Sequence, residues 1–179
     1  MTTDLLSRKI GRHFDRIDVN GDGRIDQGDF ALIVSLMREE FPEPSAEPKL
    51  NALNTAYQGL WERIRRDMDI DSDGTVSREE YVKYLQSDRK SSYRAAIQPV
   101  AKAIIDLADI DGDGMLDDRE LAKVHRALNM DAKDHQAAMA KLDLDGDGRV
   151  SEAELVQALE EFFTSEDPEA GGNFLFGEF

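Results

Sequence analysis

Residues 109–120 read DIDGDGMLDDRE, a stretch in which every second position at the start carries a side-chain oxygen. Asp109, Asp111 and Asp113 stand at positions one, three and five, Asp117 at nine and Glu120 at twelve, while Met115 at seven offers its backbone carbonyl. A hard divalent cation takes roughly six to eight oxygens, so a short chain must wrap around it and close with a carboxylate able to give two. Gly114 at six permits the sharp turn that a Cβ would hinder. Leu116 at eight can then face inward.

The pattern occurs three more times. Residues 18–29 offer Asp18, Asn20, Asp22, the Arg24 carbonyl, Asp26 and Asp29, with Gly23 at the turn. Residues 69–80 offer Asp69, Asp71, Asp73, the Thr75 carbonyl, Ser77 and Glu80, with Gly74 at the turn. Residues 143–154 offer Asp143, Asp145, Asp147, the Arg149 carbonyl, Ser151 through a water, and Glu154, with Gly148 at the turn. This is the spacing of EF-hand calcium loops. Only the first closes with Asp in place of Glu. The shorter Asp29 predicts a site that is weaker or tighter in radius, with monodentate closure and more tolerance of magnesium, against the alternative that Asp29 moves in and coordinates bidentately as a glutamate would.

Each loop lies between helical patterns. Leu5, Leu6, Ile10, Phe14 and Ile17 enter loop one; Phe30, Ile33, Val34 and Met37 leave it, ending at Phe41. A proline-rich connector precedes a helix expected from about Lys49 to Met68, with Leu53, Tyr57, Leu60, Trp61 and Ile64 inward. Tyr81, Tyr84 and Leu85 follow loop two. The polar SDRKSS stretch divides an N-terminal pair of hands, 1–86, from a C-terminal pair, 93–163, with 87–92 as linker and 164–179 as tail. Pro99 should kink the next helix or start its regular part. Val100, Ile104, Ile105 and Ala108 enter loop three; Leu121, Val124 and Leu128 leave it, Asn129 ends that helix and Asp131 caps the next.

Position eight is Ile25, Val76, Leu116 and Val150, so Ile25 is expected to bridge to Val76 and Leu116 to Val150. Position nine precedes an acid by three residues in every loop, the capping-box spacing, so one residue serves both the cation and the start of the exit helix. Carboxylates crowded within roughly 5 Å repel by about 1 kcal/mol per pair even in water. The cation-free protein should therefore be expanded or partly molten and the loaded one compact.

The net charge of -16 follows the same design. Seventeen of 38 acids stand at oxygen-bearing loop positions, and the remainder is balanced by 22 Lys and Arg. The acidity is thus a cation-binding feature and not a solvating tail, and no basic patch suggests nucleic acid. With no cysteine, disulfides and thiolate metal sites are excluded. No apolar signal core, membrane-length run or myristoylation site is present, and the expected location is the cytoplasm.

Four loops, two long linkers in the first half and the ending DPEAGGNFLFGEF resemble the sarcoplasmic calcium-binding proteins and bacterial calerythrin. The resemblance implies an all-α globule of four EF-hands in two pairs, binding up to four calcium ions, with magnesium most expected at the first site. It implies a monomeric buffer or transporter. A sensor that opens a groove to a partner protein is the alternative, and a luciferin-type carrier a third. Met37, Met68, Met130 and Met139 are scattered, as core-filling residues are. Phe174, Leu175, Phe176 and Phe179 are expected to fold back into the cleft between the hand pairs, against the alternative of a disordered or docking tail. Trp61 and His125 read as core residues, His13 and His135 as surface residues. No paired nucleophile and base or phosphate loop argues for an enzyme.

Overall fold

The loops sit among eight α-helices in a computed structural model that describes residues 2–87 and 90–177. α1 (Thr2–Ile17) enters the first loop and α2 (Gln27–Glu40) leaves it, burying Ile10, Phe14 and Ile17 on one and Phe30, Ile33, Val34 and Met37 on the other. A 3₁₀ turn over Pro44–Ala46 then feeds α3 (Glu47–Met68), which accommodates Pro48 in its first turn, where no amide donor is needed. α4 (Arg78–Leu85) completes the second hand.

α5 (Lys90–Ala108) begins within the stretch expected as linker and carries Pro99 in its interior. Residues 88 and 89 lie outside the described residues. α6 (Asp118–Ala127) is followed by Asn129 at φ 56, a left-handed position that breaks the helix. Asp131 then accepts the Asp134 N–H at 2.8 Å to start α7 (Ala132–Leu142). α8 (Glu152–Thr164) is the last long helix.

Two short antiparallel bridges join the loops in pairs. β1 (Arg24–Ile25) pairs with β2 (Val76–Ser77), placing Ile25 opposite Val76, and β3 (Met115–Asp117) pairs with β4 (Arg149–Ser151), placing Leu116 opposite Val150. All four aliphatics are buried, so the expected pairing is borne out.

The two pairs share one apolar core, with α3 packed along α5 and α2 against α6. Met37, Met68 and Met130 are buried in it. Beside its apolar face, α1 presents a polar stripe to the C-terminal half. Lys9 Nζ donates to the carbonyls of Glu161 and Ser165 at 3.2 and 3.1 Å, at the C-terminal end of α8 where a cation complements the helix dipole. Arg12 and Arg16 both reach Asp134 Oδ2 at 3.0 Å.

The chain after α8 returns across this junction. A 3₁₀ turn over Gly171–Phe174 packs on α7 and α8, Leu175 is buried, and Arg16 Nε donates to the Phe176 carbonyl at 3.0 Å. Phe179 lies outside the described residues. The Phe176 ring stands 4.3 Å from that of His13, which Phe162, Phe163 and Tyr81 also enclose. His13 is therefore core and not surface: its helix face, polar by composition, is covered by the other half of the chain. His135 is also largely covered, through its contact with His125. Among the described residues, no helix is long and apolar enough to cross a membrane.

Candidate metal centre

Each loop first organises itself through its own amides. In the third, Asp109 Oδ1 accepts the N–H groups of Gly112 and Asp113 at 2.7 and 3.2 Å, and Oδ2 accepts that of Gly114 at 3.0 Å. Asp111 accepts from Asp113 at 3.2 Å and Asp113 from Met115 at 2.8 Å. The fourth loop repeats this with Asp143, Asp145 and Asp147, the second with Asp69, Asp71 and Asp73, the first with Asp18, Asn20 and Asp22. The turn glycines Gly23, Gly74, Gly114 and Gly148 all have φ between 83° and 89°, where a Cβ is strained.

Position nine caps the exit helix in all four hands. Asp26, Ser77, Asp117 and Ser151 form capping boxes with Asp29, Glu80, Glu120 and Glu154. The residue at twelve is thereby fixed by the helix it begins.

The closing residues separate the first loop from the others. Glu80, Glu120 and Glu154 use Oε1 to accept the position-two N–H groups of Ile70, Ile110 and Leu144, at 2.9, 2.7 and 2.8 Å. Asp29 Oδ1 accepts the position-three N–H of Asn20 at 3.3 Å, an amide that Glu80 Oε1 also reaches in its loop, at 3.4 Å, but not the position-two N–H. One methylene fewer takes the position-two amide out of reach. The electrostatics differ as well. Burial holds the Asp29 carboxyl above the usual aspartate range, despite the amides it accepts from. Burial also works to raise Glu80 and Glu154, but their hydrogen bonds outweigh it and both lie below the usual glutamate range.

Three loops gather carboxylate oxygens within 4.8 Å of one another: Asp69, Asp71 and Asp73; Asp109, Asp111 and Glu120; Asp143, Asp145 and Glu154. Oxygens on opposite sides of a calcium ion are about 5 Å apart, given metal–oxygen bonds of about 2.3–2.6 Å. These all-oxygen groups therefore fit one hard cation each. Among the described residues the first loop does not assemble such a group, since its third position is the neutral amide of Asn20. Arg24, Thr75, Met115 and Arg149, expected to give carbonyls, lie in or beside the bridges.

Two side chains have a position that their carbonyl role does not foretell. The guanidinium of Arg24 pairs with Asp73 of the neighbouring loop and donates to Thr75 Oγ1 at 2.7 Å, and that of Arg149 pairs with Asp113. Each loop pair thus places one cation beside a position-five aspartate of the partner loop. Hydrogen bonding to Thr75 and Arg24 draws the Asp73 carboxyl down to about 2. A single basic residue at position seven in each pair is the sequence signal for this arrangement.

The profile of the EF-hand domain pair matches residues 7–86 and 101–167. Calerythrin of Saccharopolyspora erythraea is 26% identical over 166 residues, covering 90% of this chain and 94% of that protein. The sarcoplasmic calcium-binding protein beta chain of Penaeus sp. is 30% identical over 175 residues, covering 89% and 88%. Among solved structures, a Streptomyces coelicolor calcium-binding protein, described as a basis for prokaryotic calcium-mediated regulation, superposes with a TM-score of 0.79 at 32% identity, covering 89% of this chain and 98% of that one.

Proposed function

The chain belongs to the EF-hand family of calcium-binding proteins, and on that premise we propose that it acts as a cytoplasmic, monomeric, non-enzymatic calcium buffer or transporter with up to four sites. The gathering of carboxylates in loops two, three and four within the reach of one hard cation carries this reading. In each site the carboxylates at one, three and five, the carbonyl at seven and the acid at twelve would hold the ion, with position nine contributing directly or through water. A bound calcium would supply the positive charge that offsets carboxylate repulsion and draws the ligands of a loop together. Hands one and two (1–86) and hands three and four (93–163), joined through 87–92, are the pairs that would act together. At site one we infer mixed calcium and magnesium use, from the short reach and raised carboxyl of Asp29.

Buffering is favoured over sensing because a sensor opens to expose a methionine-rich groove. Here Met37, Met68 and Met130 are core residues, and Leu175 and Phe176 of the tail pack against the core, which supports a tail that takes the place of a partner helix. The second reading, a sensor, draws on the calcium-mediated regulation ascribed to the Streptomyces protein. Counting bound calcium per chain by equilibrium dialysis, together with hydrophobic-dye binding, tests both. Three or four ions without added dye signal support buffering; dye uptake on loading supports sensing; no bound calcium overturns the proposal.

A further inference from the structure

Outside the calcium loops, α6 and α7 bring two imidazole rings together. His125 stands on α6, two turns beyond Asp118 and on the same face, and His135 reaches both from α7. Nδ1 of His125 lies 2.9 Å from Nδ1 of His135, and Nε2 of His135 lies 3.2 Å from the Asp118 carboxylate. The rings meet edge to face, with centroids 5.0 Å apart and planes at 70°.

Their protonation suits ligation. Burial, together with the neighbouring His135, keeps His125 neutral at pH 7. An ionised carboxylate only accepts, so His135 carries a proton on Nε2 and, when neutral, turns the lone pair of Nδ1 toward His125. The hydrogen bond between the rings then uses the Nδ1 proton of His125. Moving that proton to Nε2, the other neutral tautomer, sets two lone pairs on adjacent nitrogens with no change in charge. Two such lone pairs call for a positive centre. Asp118 stands where metal-ligating histidines keep an orienting carboxylate, on the far ring nitrogen, where it fixes the tautomer and makes the near nitrogen more basic.

The separation selects among metals. With metal–nitrogen bonds of about 2.0–2.1 Å, nitrogens 2.9 Å apart subtend about 90° at the ion. That is the cis angle of a square-planar or tetragonal ion, whereas a tetrahedral ion such as zinc needs about 3.3 Å. Rotation about each Cβ–Cγ bond, a soft torsion, aims both lone pairs at one point. Copper(II) prefers this geometry and binds nitrogen more tightly than the other first-row divalent ions.

The surroundings admit such an ion. The side chains of His135 and Asp118 are 12% and 71% exposed, so water reaches the pair and can complete the coordination. Of the charges acting on His125, Arg16 opposes a cation and Asp134 favours one, and these two are paired with each other at 3.0 Å.

We propose that His125 and His135 form a binding site for a tetragonal divalent transition metal, copper(II) foremost, through their two Nδ1 atoms. Asp118 orients His135, and water fills the remaining positions. The site uses none of the calcium ligands and stands apart from calcium buffering.

Titration of copper(II) into the calcium-saturated full chain, followed by calorimetry and electron paramagnetic resonance, tests this. One copper ion per chain should bind, with a spectrum split by two imidazole nitrogens. His125→Gln and His135→Gln should each lose the two-nitrogen signature. Asp118→Asn, a change at an exposed side chain, should keep both nitrogens and weaken copper binding by about tenfold or more. The proposal is overturned if the calcium-saturated chain binds no copper, if the bound ion shows fewer than two nitrogens, if either histidine variant keeps the wild-type spectrum, or if Asp118→Asn binds copper as tightly as wild type.

Discussion

The Tyr81 hydroxyl lies 2.7 Å from Nδ1 of His13, inside a box of aromatic rings contributed by α8 and the tail. Burial takes His13 down to about 3, and burial with the neighbouring His135 takes His125 to about 3. Both therefore stay neutral in the folded protein while an unfolded chain protonates them near 6.5. Their contribution to stability is fully present above that value and is lost as pH falls toward 3, at about 1.4 kcal/mol per pH unit for each ring. Urea unfolding at pH 7 and pH 5.5 should show this loss, and His13→Phe should remove about half of it. An equal loss in wild type and variant would contradict the assignment.

The first site should respond to one methylene. Because Asp29 does not reach the position-two amide from which the glutamates accept, Asp29→Glu is expected to raise calcium affinity at site one by about tenfold, or about 1.4 kcal/mol, and to reduce magnesium affinity relative to calcium. Titration with each ion measures both effects. If neither affinity changes, Asp29 already closes its loop as a glutamate does.

Capping and ligation meet in one residue at position nine. Ser151→Ala removes the hydroxyl that accepts the Glu154 N–H at 3.2 Å and donates to Glu154 Oε2 at 2.8 Å. About 1 kcal/mol of stability should be lost even in chelator, where no ligand role exists, and site-four affinity should also fall. Chemical denaturation with and without calcium separates the two contributions. Unchanged stability in chelator would leave the cap without energetic weight.

The tail depends on a close approach. A Cβ at Gly172 would sit 2.8 Å from the Phe162 amide nitrogen and closer still to the Ala158 carbonyl, so Gly172→Ala should loosen the tail from α8. This variant, and a chain truncated after Asp167, are expected to bind more hydrophobic dye when loaded with calcium. Dye binding equal to wild type would show that the tail covers no apolar surface.

The loops were readable because everything that builds them is local. Twelve consecutive residues carry the ligands, the turn glycine, the cap and the aliphatic bridge, so Ile25 opposite Val76 and Leu116 opposite Val150 followed from spacing alone. The covered faces were not readable in this way. Lys9, Arg12, His13 and Arg16 make α1 look solvated on one side, and only the return of α7, α8 and the tail turns that side into an interface. Their recurrence every three or four residues beside Ile10, Phe14 and Ile17 was the available hint of a second contact surface. The reach of Arg149 to Asp113 likewise depends on how two loops separated in sequence are set side by side.

Calorimetric titration with calcium, repeated in millimolar-range magnesium, bears most directly on the claim that the acidic loops are calcium sites of a buffer. Binding at loops two, three and four is expected with or without magnesium, accompanied by a higher melting temperature than in chelator, and with magnesium competing most strongly at site one. Absence of calcium binding at loops two to four, or equal melting temperatures with calcium and with chelator, would contradict it.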